Sequence, residues 1–161
     1  MGTISIRAAT PADVPLIVSM VRELAEYERS PQEAKATDAL MMEAMFGPKP
    51  ACEALIGSVD GVAQGIAVFF HNFSTWTGRS GVYLEDLFVR PTARGAGLGS
   101  ALLREVAKIA LARGCPRVDW MVLDWNESAL GFYKSLGALP LSDWTVHRLS
   151  GEALQRFAAG R

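Results

Sequence analysis

Residues 82–100 read VYLEDLFVRPTARGAGLGS: an apolar strand pattern, a break at Pro91, and a glycine-rich turn that opens a helical pattern. Gly95, Gly97 and Gly99 let the chain bend with positive φ and leave no side chain between the backbone and an approaching ligand. The first N–H groups of the helix have no intrahelical acceptor and sit at the positive end of its dipole. Such a turn holds an anion, most naturally a phosphate. A P-loop needs Gly-Lys followed by Ser or Thr, and here Gly99 runs straight into Ser100 with no lysine in the loop. A dinucleotide fingerprint needs G-x-G-x-x-G with an acid about twenty residues on, which this G-x-G-x-G loop lacks. Arg94, Gly97 and Gly99 do form R-x-x-G-x-G. On spacing alone the same glycines also suit a plain tight turn.

Working outward, residues 3–8 alternate as a short strand, and Thr10-Pro11-Ala12-Asp13 starts a helix with Thr10 as cap and Pro11 in the first position. Val14, Ile17, Val18, Val21, Leu24 and Ala25 give that helix one apolar face to about residue 28. Thr37 caps a second, short helix closed by Gly47 and Pro48. Residues 52–59 and 62–73 form a hairpin across the turn pair Asp60-Gly61. Past the glycine loop, Leu98, Ala101, Leu102, Val106 and Ile109 mark a helix that stops at Gly114 ahead of Pro116. Residues 117–124 alternate as a strand, parallel to the central one through that helical crossover. Asn126 caps a helix carrying Ala129, Phe132, Tyr133 and Leu136 on one face. Residues 139–141 and 145–149 read as two closing strands, and Ser150 caps a last helical segment.

The chain has 161 residues, half of them apolar, which suits one domain with one core. Its net charge is -1 with the charges interspersed, so neither a nucleic-acid nor an anionic-membrane surface is expected as partner. Cys52 and Cys115 form no C-x-x-C pair, and His71 and His147 are isolated, so no metal site or disulfide framework is indicated. No apolar run has the length of a signal peptide or a membrane span, and a cytoplasmic protein is expected.

The order βααβββαβαββ and the R-x-x-G-x-G loop resemble the GCN5-related N-acetyltransferases, whose loop of this kind holds the pyrophosphate of acetyl-CoA. The resemblance covers nearly the whole chain, 1–161 as a single domain, and implies an α/β fold with a mixed, twisted sheet of about six to seven strands. Ala25-Glu26-Tyr27-Glu28, Tyr83-Leu84-Glu85-Asp86-Leu87-Phe88-Val89, and the run from Trp125 through Asn126-Glu127 to Phe132-Tyr133-Lys134 are similar to the spermidine/spermine subgroup, with its thialysine-acetylating relatives. The resemblance implies coenzyme contacts at Leu87, Phe88 and Val89, at Arg94, Gly95, Ala96, Gly97, Leu98, Gly99 and Ser100, and at Asn126, Glu127, Ser128 and Ala129. The arm of the coenzyme is expected in a gap where the central strand and the 117–124 strand splay apart. It implies substrate contacts at Tyr27, Glu28, Glu85, Asp86, Asp119, Trp120 and Met121, and a homodimer exchanging C-terminal elements.

An amine with a pKa of about 10.4 is protonated near neutrality and has no lone pair with which to attack a thioester. Glu85 is the candidate base: a carboxylate within an apolar strand is costly unless partnered or wet, and partial burial would raise its pKa. The plain alternative is a glutamate facing solvent. Asp86 points to the opposite face unless a bulge intervenes, and is read as a substrate-side or structural acid. Tyr133 is the candidate proton donor to the leaving thiolate, its helical stripe alone suiting a core aromatic equally well. Asn126 serves as helix cap, as coenzyme contact, or as both. Ser74-Thr75 stands before Trp76, and only Asp143 before Trp144, where a polyamine channel would carry more acids. A diamine or lysine-like amine therefore competes with spermidine. Acetylation of a protein or peptide, and coenzyme sensing without turnover, are the rival functions.

Overall fold

The computed structural model describes residues 2–160 and falls into two compact units, Met1–Met121 and Val122–Arg161. The first is built on a five-stranded sheet in the order β1-β2-β3-β4-β5: β1 Ile4–Ala8, β2 Glu53–Val59, β3 Val62–Ser74, β4 Arg79–Val89 and β5 Val118–Asp119. The first four strands pair antiparallel and β5 joins β4 in parallel, so the sheet is mixed as expected. It has five strands rather than six to seven.

One face of the sheet is covered by α1 (Val14–Tyr27) and α2 (Asp38–Phe46). Ile17 and Met20 of α1 and Met45 of α2 pack there on Ala54, Ile56, Ile66, Val68 and Phe88. A single turn of 3-10 helix, Pro11–Asp13, precedes α1. Asp13, buried, accepts from the Thr10 N–H at 2.7 Å and from both Arg7 terminal nitrogens at 2.7 and 2.8 Å, which holds its carboxyl well below the ordinary range. Thr37 caps α2 by accepting the Leu40 N–H at 3.2 Å. The β2–β3 turn has positive φ at both Asp60 and Gly61, the conformation that suits the twist of a two-residue hairpin.

The opposite face carries α3 (Leu98–Ala112). It approaches so closely that a Cβ at Gly65 would lie 2.8 Å from the Phe88 carbonyl oxygen and 3.2 Å from Leu98 and Leu102. Glycine is what the packing requires at that point. Across the other face Arg90, just past β4, grips Glu23 of α1, with Nη2–Oε1 at 2.7 Å and Nε–Oε2 at 3.0 Å. The C-terminal end of α1 is thereby fixed relative to the end of β4.

The 117–124 strand is cut to two residues, pairing Val82 with Val118 and Tyr83 with Asp119. The cause lies in β4. Its register with β3 runs Val68–Asp86 and then Phe69–Leu84, so Glu85 is an extra residue in a β-bulge. A bulge bends its strand and increases its twist, and the parallel ladder stops immediately before it. In the second unit, α4 (Glu127–Ser135) and α5 (Gly151–Ala158) form, but residues 139–141 and 145–149 are not strands. A strand exists through hydrogen bonds to a neighbour, and neither segment pairs with one among the described residues.

Candidate active site

The bulge decides the site. In unbroken alternation Leu84 and Asp86 would share a face; with Glu85 inserted, Leu84 pairs with Phe69 and Asp86 with Val68. Val68 belongs to the core beneath α1 and α2, as does Phe88 two residues beyond Asp86. Asp86 therefore faces α1, while Glu85 is exposed beside it. Burial raises the Asp86 carboxyl to about 6, with the charges of Glu85 and of Glu28 adding to the effect. Burial likewise raises Glu28, the residue that follows α1 as its C-terminal cap. The partial burial expected at Glu85 is thus found at Asp86: the bulge turns the first acid outward and the second inward. Three acids are thus drawn together in a partly desolvated place, an arrangement whose chemistry suits a cation.

Around them, the Tyr83 phenol is raised by burial and then by the charges of Glu85 and Asp119, and its ring stacks on Phe70 with centroids 5.1 Å apart. Asp119 also meets Arg117, Nε–Oδ2 3.4 Å. Cys52, half-buried, has its thiol raised by burial and by Asp86, Glu53 and Glu85. It borders a cavity of about 520 Å3 lined by Met45, Phe46, Pro50 and Phe70 together with Glu53 and His71. The sequence did not place Tyr83, Phe70 or Cys52 beside the acids, because only strand register brings them there.

On the β5 side, β4 from Leu84 to Val89 has no strand partner among the described residues. Leu87, Phe88 and Val89 lie along this edge, where the ladder with β5 has ended. At the end of this edge comes a 3-10 turn, Pro91–Ala93, then Arg94, Gly95 at φ 82° and Gly97 at φ 86° as the residue before α3. The first helical bond returns from the Ala101 N–H to the Gly97 carbonyl at 3.0 Å, which leaves the N–H groups of Leu98, Gly99 and Ser100 without intrahelical acceptors. A Cβ at Gly95 would meet nothing within 4 Å. Arg94 donates from Nε to the Val89 carbonyl at 3.1 Å, and its guanidinium lies 4.7 Å over the Tyr27 ring.

The remaining predicted residues are on or near α4. Asn126 caps it, accepting the Ala129 N–H at 3.3 Å, with Glu127 and Ser128 in the first turn. Tyr133 is half-buried beside Phe132, ring centroids 5.2 Å apart. Trp120 and Met121 follow β5 and do not continue it. Among the described residues no group of three or more His, Cys, Asp or Glu side chains is placed to hold a metal.

Residues 17–138 match the model of the acetyltransferase (GNAT) family. The chain belongs to that family. A thialysine N-epsilon-acetyltransferase of Sus scrofa is 37% identical, over 98% of this chain and 99% of the relative. An L-ornithine N5-acetyltransferase of Arabidopsis thaliana is 30% identical, over 93% of this chain and 86% of the relative. Among solved structures, an integron cassette protein from the V. cholerae mobile metagenome superposes with a TM-score of 0.80 at 26% identity, covering 96% of this chain and 97% of that one. The chain is an N-acetyltransferase with the fold of its family, and no helix of the described residues is long and apolar enough to cross a membrane.

Proposed function

We propose that this acetyltransferase uses acetyl-CoA to acetylate a primary amine of a small cationic molecule, most favourably a lysine- or thialysine-like amino acid or a diamine. The observation that carries the reading is the gathering of Glu85, Asp86 and Glu28 at the β4 bulge, beside a strand edge left open. The thialysine and L-ornithine acetyltransferases among its relatives support the same class of substrate.

The residues fit the coenzyme. Gly95 leaves open space, Gly97 turns the chain at positive φ, and N–H groups without intrahelical acceptors at the start of α3 suit a pyrophosphate, with Arg94 supplying a cation. Bound there, acetyl-CoA supplies an activated acetyl thioester. Leu87, Phe88 and Val89 offer backbone groups to its arm, and N–H donors where negative charge develops on the acetyl oxygen.

Asp86 and Glu28 hold the ammonium of the amine, and the cavity by Cys52 offers apolar side chains such as Met45 and Phe70 to its carbon chain. Glu85, exposed at the bulge, takes the proton that leaves the nucleophilic nitrogen, directly or through water. Tyr133 holds a proton at Oη for the departing thiolate. Trp120, Met121 and Asp119 border the amine, and Asn126, Glu127, Ser128 and Ala129 contribute to the coenzyme site. Attack is direct: the Cys52 thiol is held protonated by burial and neighbouring acids, which makes it a poor nucleophile. Both units belong to one functional domain, acting in the cytoplasm as a homodimer.

Two variants test the roles. Tyr133→Phe is expected to keep coenzyme A affinity in calorimetry and to lose about 10²-fold or more in turnover. Glu85→Gln is expected to lose most at lower pH, where the amine is most protonated. Unchanged turnover in the first, or a loss independent of pH in the second, removes that residue from proton transfer.

A further inference from the structure

Arg94 is exposed, long and rich in rotamers, yet its guanidinium is held at two points. Nε donates to the carbonyl of Val89, the last residue of β4, at 3.1 Å, and the guanidinium carbon stands 4.7 Å from the ring centroid of Tyr27, the last residue of α1. An unrestrained arginine loses much of its side-chain freedom when an anion fixes it. A ring beneath the guanidinium removes part of that cost in advance and still leaves the terminal nitrogens able to donate. The platform is itself anchored, because the Arg90–Glu23 pair fixes α1 against the end of β4 within a few residues of both partners.

We propose that Tyr27 is a positioning residue for the coenzyme: its ring presents Arg94 to the pyrophosphate. This differs from the sequence resemblance, which gives Tyr27 to the amine substrate, and it rests on the coenzyme reading above. The ring is what acts here, so phenylalanine should serve and an aliphatic side chain should not. The phosphates are where it acts, so a donor without them should be indifferent.

The experiment compares wild type, Tyr27→Phe and Tyr27→Leu by two readouts: calorimetric affinity for coenzyme A in the absence of amine, and the ratio of kcat/KM with acetyl-CoA to kcat/KM with acetyl-pantetheine, which lacks the pyrophosphate. Any contact of Tyr27 with the amine divides out of that ratio. Tyr27→Leu is expected to weaken coenzyme A binding and to lower the ratio by about three- to tenfold, while Tyr27→Phe stays within about twofold of wild type. In an Arg94→Gln background, Tyr27→Leu should add no further loss. An unchanged ratio, equal losses in the Phe and Leu variants, or an additive loss in the Arg94→Gln background overturns the role of Tyr27. Failure of wild type to bind coenzyme A would instead strike the proposed function itself.

Discussion

Asp86 sits in an environment that its neighbours in sequence do not suggest. Its carboxyl titrates at about 6 because burial, then Glu85 and Glu28, disfavour its charged form. A carboxyl raised on folding favours the protonated fold, so its stabilising effect is complete below the ordinary carboxylate range and is lost as pH rises through about 6. Asp86→Asn is therefore predicted to unfold at higher urea than wild type near neutral pH, by up to about 3 kcal/mol, and to match it near pH 4. The same variant should raise KM for the amine. Urea denaturation at the two pH values checks the first expectation and initial rates the second; a variant less stable than wild type at neutral pH contradicts the account. The sequence drew attention to the pair Glu85-Asp86, but which acid turns inward was not legible. Strand alternation gives parity, and a single extra residue inverts parity without leaving a mark in composition.

At the scale of elements, the strand, turn and helix around the glycine loop were readable because each step has a local cause: Pro91 in the turn, Gly95 and Gly97 at positive φ, and an apolar stripe from Leu98. Gly97 has the sharper requirement. At φ 86° it opens α3 in a conformation that side chains avoid. Gly97→Val is predicted to cost about 1–2 kcal/mol of stability and to weaken coenzyme A binding at least tenfold, read by thermal unfolding and calorimetry. Full affinity in that variant would show that the turn does not shape the phosphate site. The 117–124 and C-terminal strands were over-read for a related reason. Their alternation is real, but alternation records which residues could share a face, while a strand also needs a partner. The bulge at Glu85 ends the β4–β5 ladder, and residues 139–149 pair with no strand among those described.

For the whole molecule, that segment keeps its apolar pattern in the open. Leu139, Leu141, Trp144, Val146 and Leu149 are all exposed, and β5 is an edge strand. Exposed apolar side chains and an edge strand each favour association with another chain, in line with the homodimer proposed above. Light scattering on the eluting protein is predicted to give about twice the mass of one chain, and a monomer at micromolar concentration would contradict it. Family, fold and reaction class were legible because glycine loop, acidic dipeptide and late Asn-Tyr helix lie far apart in sequence and still agree. The amine was not, since the residues proposed to receive it, Glu28 at the end of α1 and Asp86 in β4, come together only through tertiary packing. The most direct test is release of coenzyme A thiol from acetyl-CoA across thialysine, lysine, ornithine, putrescine, spermidine and a lysine peptide. The account predicts turnover that requires a small amine and is fastest with a lysine-like or diamine substrate. Turnover confined to the peptide, or none with acetyl-CoA bound, would contradict it.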